Sequence, residues 1–379
     1  MVDKTNLDIV QLRTIEKIME NLDGNHWVKG FAGSGKTIVL THVLERLAAA
    51  KPPLTICFAT FTHALKDLVE SGLSDNAKRR VTISTFDSLK HLKRSFDIVL
   101  ADEMQDIKKE NLPIISSLGA SMVIAADHDQ SIYKFSATPA ELNSTIKPAK
   151  EHQLREVYRI NENVFDIATV VYDEAKIVAR TTVRQDETKT KILKAGSKRE
   201  EFTTIFQEAV RVSQKGSPSA ILLPTKKLMD EFVAIISAEE SYRGTPPSVK
   251  ESTRYSDGSY STPFEEVNTF LKSNRSPLQA FGGGGGDLYE TDKRKMILMM
   301  TYHSAKGLDF PYVFLPHLTS STGLNAFRGG TDSDERRLFF VATTRAREQL
   351  YLSYHGEQHR FLDEIPDSLL ETFKKKRAY

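Results

Sequence analysis

Along the chain, short runs of consecutive apolar residues alternate with segments whose apolar positions recur every three to four residues. The runs "NHWVKGFA" (25–32), "LTICFAT" (54–60), "RVTISTF" (80–86), "DIVLADE" (97–103) and "SMVIAAD" (121–127) predict strands. Helical spacing marks "KTIVLTHVLERLAAA" (36–50) and "THALKDLVESG" (62–72) between them. Strands this continuously apolar are buried on both faces, which predicts a parallel sheet flanked by helices. The same pattern restarts after about residue 150. A helix is predicted at "NENVFDIATVVYDEA" (161–175), and strands at "KTKILKA" (189–195), "SAILLPT" (219–225), "KMILMMT" (295–301), "PYVFLP" (311–316) and "QLYLSY" (349–354). The expectation is an α/β protein of two domains, 1–150 and 151–379. A stretch rich in Ser, Thr, Pro and Gly at about 238–294 breaks the pattern and contains Gly282 to Gly286. It reads either as a variable surface loop or as the replacement of an omitted insertion.

Composition narrows the class. At 379 residues, with 40% hydrophobic and 27% charged residues, the chain has enough apolar material for two cores. It holds no apolar stretch of membrane-spanning length, and "MVDKTNLDIV" at its start lacks the apolar core of a secretory signal. A single cysteine, Cys57 within a predicted strand, suits a reducing compartment, so a cytoplasmic protein is expected. The formal net charge of +2 excludes a broadly basic nucleic-acid surface. Any such surface is local or relies on stacking.

Candidate chemistry begins at "GFAGSGKT", Gly30 to Thr37, which fits the phosphate-loop pattern and lies between a predicted strand and a predicted helix. Gly30, Ala32, Gly33, Ser34 and Gly35 form the cradle, where glycines let backbone N–H groups wrap phosphates, and Ile38 follows in the first helical turn. Lys36 reaches the outer phosphates, and the Thr37 hydroxyl joins a Mg²⁺ shell. At the end of another predicted strand, Asp102 is placed on the metal side and Glu103 as the general base for water. A nucleoside triphosphate and Mg²⁺ are the expected ligands.

Five segments in one order, "GFAGSGKT", "LADEMQDI" (100–107), "AADHDQSIYKF" (125–135), "YHSAKGLDFPYVFLP" (302–316) and "RRLFFVATTRA" (336–346), carry a resemblance. They resemble the UvrD/Rep branch of superfamily 1 helicases, ATP-driven motors on single-stranded DNA. The resemblance implies two RecA-like domains with ATP bound between them. It also assigns roles residue by residue. Gln11 contacts the adenine edge, Tyr158 stacks on adenine, and Gly307 and Asp309 lie near the nucleotide. Gln130 contacts the γ-phosphate, and Arg159 and Arg345 act as arginine fingers, a task that suits a fixed fork of donors. Tyr133 and Phe135 face the strand, joined by Phe61, Thr62, His63, Thr85 and Phe86 from the first domain and Thr301 and His303 from the second. Taken singly, Phe61 and Phe86 would read as core aromatics. The "DExQD" form gives Gln105 and Asp106 a coupling role between nucleotide and strand, with Met104 turned into the core.

Three positions depart from the family pattern: Ala126 stands where glycine is usual, Asp309 where glutamate is usual and Val157 where asparagine is frequent. Length departs more. Only 23 residues (63–85) separate Thr62 from Phe86, where full-size relatives carry an inserted subdomain, and 141 residues (160–300) fill the second insertion point. The resemblance therefore implies a stripped single-stranded-DNA translocase or helicase, moving 3′ to 5′. The alternative is a nucleotide-gated DNA-end sensor or regulatory ATPase serving a partner nuclease in DNA repair or phage defence.

Overall fold

The computed structural model describes residues 7–61, 63–127, 131–132, 136–146, 148–173, 181–184, 188–213, 217–249, 264–282, 296–324 and 331–373. It divides into two compact units, residues 1–159 with 175–183 and residues 160–174 with 184–379.

In the first unit, β1 (Asn25–Gly30), β2 (Ile56–Thr60), β3 (Val81–Thr85), β4 (Phe96–Ala101), β5 (Gly119–Ala126) and β6 (Ala149–Leu154) form one sheet in the order β3-β2-β4-β5-β1-β6. Every neighbouring pair is parallel. Because successive side chains of a strand point to opposite faces, the apolar runs feed two cores. Val28, Phe58, Leu100 and Val123 pack against Val39, Leu40 and Val43 of the helix Lys36–Ala48. Trp27, Cys57, Val99 and Ile124 pack on the other face with Leu112, Ile115 and Leu142. Cys57 is a buried free thiol, pushed up to about 12 by burial.

The pattern did not announce β6. Its sequence "AKEHQL" buries only His152 and Leu154, because it is an edge strand paired with β1 alone. The short pair β7 (Glu156–Asn161) and β8 (Thr181–Arg184) follows.

The second unit is built on β9 (Thr190–Ala195), β10 (Ser219–Leu223), β11 (Leu278–Ala280), β12 (Ile297–Thr301), β13 (Phe310–Leu315), β14 (Ala346–His355) and β15 (Leu370–Thr372), in the order β11-β12-β10-β13-β14-β9-β15. These pairs are also parallel. The helices Lys198–Ser213 and Lys226–Glu239 cover one face through Phe202, Phe206, Phe232 and Ile236. Two parallel sheets flanked by helices give the expected RecA-like α/β layering. Within the stretch read as a loop, the described part contains the helix Glu265–Ser273 and β11. That helix buries Val267 and Leu271, an i, i+4 pair too short to stand out among polar neighbours. Of Gly282 to Gly286, only Gly282 lies within the described residues.

Candidate active site

The loop after β1 turns directly into the helix Lys36–Ala48. Gly33 and Gly35 make the turn with φ of 79° and 87°, a left-handed backbone that glycine adopts at least cost. At Gly33 a Cβ would also lie 2.7 Å from the Arg159 Cβ. No side chain caps the helix, so its first N–H groups remain available to an anion. Lys36 is buried and donates to the carbonyls of Gly30 at 2.7 Å and Phe31 at 3.1 Å. Its ammonium also lies 3.6 Å from the Asp127 carboxylate.

Strand order explains why these groups meet. β4 and β5 are neighbours, and β5 pairs with β1 in a register that sets Lys29 opposite Ala126. Asp102 and Asp127, one residue beyond the ends of β4 and β5, therefore arrive beside the loop. The Thr37 hydroxyl donates to Asp102 at 2.6 Å, joining the two predicted halves of the site. Asp102 is almost fully buried, and that burial, with the neighbouring Glu103, raises its carboxyl to about 6 against the lowering pull of Thr37 and Lys36. Asp127 went unremarked in the sequence. The signal available was an acid closing an apolar strand, but its contact with Lys36 depends on strand order.

Glu103 adopts a left-handed backbone with φ of 56°, uncommon for a side-chain-bearing residue. Gln105 is fully buried and uses its whole amide: its nitrogen donates to the Glu103 carboxylate and its oxygen accepts the Asp127 N–H at 2.9 Å. Its own carbonyl accepts from the Ser131 hydroxyl at 3.2 Å. Further along, the Ala137 N–H donates to Ile107 at 2.9 Å and Lys108 bridges Ser136. Residues 105–108 are thus laced to the segment 127–137. Asp106 is buried beside Gln105, and Met104 packs in the core. Gln130, Tyr133 and Phe135 lie outside the described residues, as does Thr62.

Gln11 approaches the loop from the helix Ile9–Met19, donating to the Ser34 carbonyl at 3.1 Å while its oxygen closes a capping box with the Asp8 N–H. Ala32 and Ser34 are buried within the loop, and Ile38 packs partly against the adjoining core. Tyr158 donates from its backbone to Gly33 at 3.1 Å and from its phenol to Glu156, and burial with that bond holds the phenol above its ordinary range. Tyr158 and Arg159 thus group with the first unit, whereas the sequence placed them at the opening of the second. Backbone bonding to the phosphate loop outweighs their position in the chain.

Arg345 lies in the second unit between the helix Asp332–Thr343 and β14. It is 1% exposed, and its guanidinium donates to the carbonyls of Val341 and Leu308 and to the Thr344 hydroxyl. A finger role requires exchanging those bonds. Gly307 has φ of 80°, and the Asp309 carboxylate lies 3.5 Å from Arg347. Thr301 ends β12 with its hydroxyl 2.9 Å from that of Ser304. His303 is lowered to about 4 by burial and by Lys306. Thr85 is buried, its hydroxyl 2.9 Å from Ser88. Phe86 is 2% exposed within the core that Phe61 also packs against, so it offers a strand no ring face here. His63 opens the helix His63–Gly72.

Two family models match the chain. One described as an AAA domain covers residues 14–136, and one described as the UvrD-like helicase C-terminal domain covers residues 285–357. The chain is 39% identical over 101 residues to the ATP-dependent DNA helicase PcrA of Staphylococcus aureus, an alignment spanning 22% of this chain and 14% of that protein. PcrA of Staphylococcus epidermidis is 37% identical over 102 residues, 23% of this chain and 14% of its own length. The match thus spans about one seventh of these curated relatives. A solved arterivirus nonstructural protein 10 helicase in complex with DNA is 16% identical, covering 89% of this chain and 63% of its own, with a TM-score of 0.43.

Proposed function

We propose that this chain is a UvrD/Rep-like superfamily 1 helicase-type protein, a DNA-dependent ATPase translocating 3′ to 5′ on single-stranded DNA. The observation that carries the reading is the meeting of Thr37, Asp102, Lys36 and Asp127 at an uncapped helix N-terminus. The donor set fits a magnesium nucleotide. A hydroxyl and a carboxylate are the hard oxygen ligands Mg²⁺ prefers, and free N–H groups with a buried ammonium suit phosphates. Thr37 and Asp102 would hold the ion, which supplies neutralisation of phosphate charge when bound.

In this reading Lys36 exchanges its carbonyl partners for the outer phosphates, with Asp127 aiming the ammonium. Glu103 takes the proton of the attacking water, and the Gln105 amide fixes the carboxylate oxygen that does so. Arg159, with its Cβ against Gly33, swings toward the γ-phosphate, and Arg345 does so once released from its own unit's carbonyls. The lacing of 105–108 to 127–137 carries the state of the nucleotide to the segment containing Tyr133 and Phe135, where bases stack. Residues 63–85 form two short helices and β3, a compact interval that favours translocation over autonomous unwinding.

ATPase activity measured with and without single-stranded DNA, together with strand separation on duplexes bearing 3′ or 5′ tails, tests the reading. Hydrolysis stimulated by single strands is expected, and hydrolysis indifferent to nucleic acid would sink it. Lys36→Ala should lower turnover by roughly a hundredfold or more.

A further inference from the structure

Away from the nucleotide residues, three side chains of the second unit converge at one end of its sheet. Glu201 comes from the helix Lys198–Ser213, His317 from the turn two residues beyond β13, and His355 from the last position of β14. β13 and β14 are adjacent, with Leu315 opposite Leu352, so the two histidines leave the same edge. Their rings stack at 5.0 Å and 28°. One carboxylate oxygen of Glu201 and one ring nitrogen from each histidine lie within 4.8 Å of one another.

Glu201 is fully buried and held in one orientation. Its Oε1 accepts the His317 N–H at 2.6 Å and the Ser353 hydroxyl at 2.7 Å, which turns Oε2 toward His355 Nδ1 at 2.6 Å. Those bonds account for Glu201 and His355. They do not account for His317, which is 8% exposed, has a left-handed φ of 66°, and buries an Nδ1 that takes no hydrogen bond. A buried polar atom of this kind is costly unless something else satisfies it.

We propose that Glu201, His317 and His355 form a binding site for a zinc-like divalent cation that ties the helix Lys198–Ser213 to the ends of β13 and β14. Two imidazoles and a carboxylate are the donor set such ions take, leaving a coordination position for water. The donors on Oε1 are the outer partners that orient a ligating carboxylate. Ligand bonds of about 2.0–2.2 Å in tetrahedral geometry need Oε2 and the His355 nitrogen to separate by somewhat under ~1 Å. On binding, the His355–Glu201 hydrogen bond is replaced: the proton on Nδ1 passes to Nε2, or to solvent where Nε2 already carries one, and the freed Nδ1 lone pair faces the ion. Lys198, the nearby cation, already pairs with Glu231 at 2.8 Å. The side chain of His355 is 22% exposed, giving the ion a way in.

The test titrates Zn²⁺ into the metal-stripped full chain by calorimetry and follows Co²⁺ by its visible absorption. One saturable site per chain is expected, with affinity falling about 10-fold or more in His317→Asn and in His355→Gln. Asparagine tolerates the left-handed backbone, so His317→Asn should remain folded. His26→Gln, which alters the other histidine pair, should leave binding unchanged. Lys36→Ala should keep the metal site while losing ATPase, so the two readings fail separately. No saturable binding, unchanged affinity in both ligand variants, or a loss that follows His26→Gln instead would each overturn the proposal.

Discussion

His26 on β1 and His152 on β6 are diagonal neighbours, for His26 is opposite Lys150 and His152 opposite Val28, and their rings stack at 5.2 Å with a 2.9 Å hydrogen bond between Nδ1 and Nε2. Burial lowers both, and His152 falls to about 4 from an ordinary 6.5 with His26 as a further cause. Between those values the unfolded chain binds protons that the folded pair refuses, so stability rises with pH across that window and is lost as pH falls through it. The first unit should lose stability through this pair as pH falls from 7 to below 4. Urea unfolding at several pH values checks it, and His152→Gln should flatten that part of the profile. At Asp127, substitution by Asn should weaken ATP turnover by roughly tenfold or more, because Lys36 loses its only carboxylate within salt-bridge distance among the described residues. The contrast between Asp102 and Asp127 shows what a residue pattern carries. An acid pair closing a strand is legible in five letters, whereas a lysine reaching a second strand end depends on which strands are neighbours. Arg345 shows the converse, for its place in the motif was legible while its burial against Val341 and Leu308 belongs to the fold around it.

The proposed coupling belongs to the scale of elements. Residues 105–108 and 127–137 are separate segments joined by the Gln105 amide, the Ile107 carbonyl and the Lys108–Ser136 bridge. Gln105→Ala should bind ATP normally yet lose most of the stimulation by single-stranded DNA. Retention of full stimulation would show the lacing to be structural only. Beside them, the 3₁₀ helix Phe86–His91 is pinned by Phe86, and Asp87 accepts from Lys108 at 2.8 Å and from Asn111 at 3.2 Å. Phe86→Ala should cost about 3–5 kcal/mol of stability by leaving a core cavity, whereas Phe86→Leu should cost under about 1.5 kcal/mol. Chemical denaturation separates these from any effect on DNA affinity. The central strands were readable because burial on both faces leaves them almost wholly apolar. β6, β11 and β15 were not, since edge strands need few apolar side chains and "AKEHQL" resembles a loop.

On the scale of the whole molecule, each unit has its own sheet and its own core. Saturating Mg-ATP at about 100 times its Kd should stabilise the folded protein by about 2.7 kcal/mol, seen as slowed hydrogen exchange in β1, β4 and β5. The first sheet has one more consequence. β6 is the last of its strands to be made and borders β1 directly, and the chain leaving it places Tyr158 and Arg159 against Gly33. All the letters of the phosphate loop are complete by residue 37, yet the backing that shapes it arrives more than a hundred residues later. A nascent chain still lacking β6 therefore carries the letters of the phosphate loop without the strand and the backbone contact that back it.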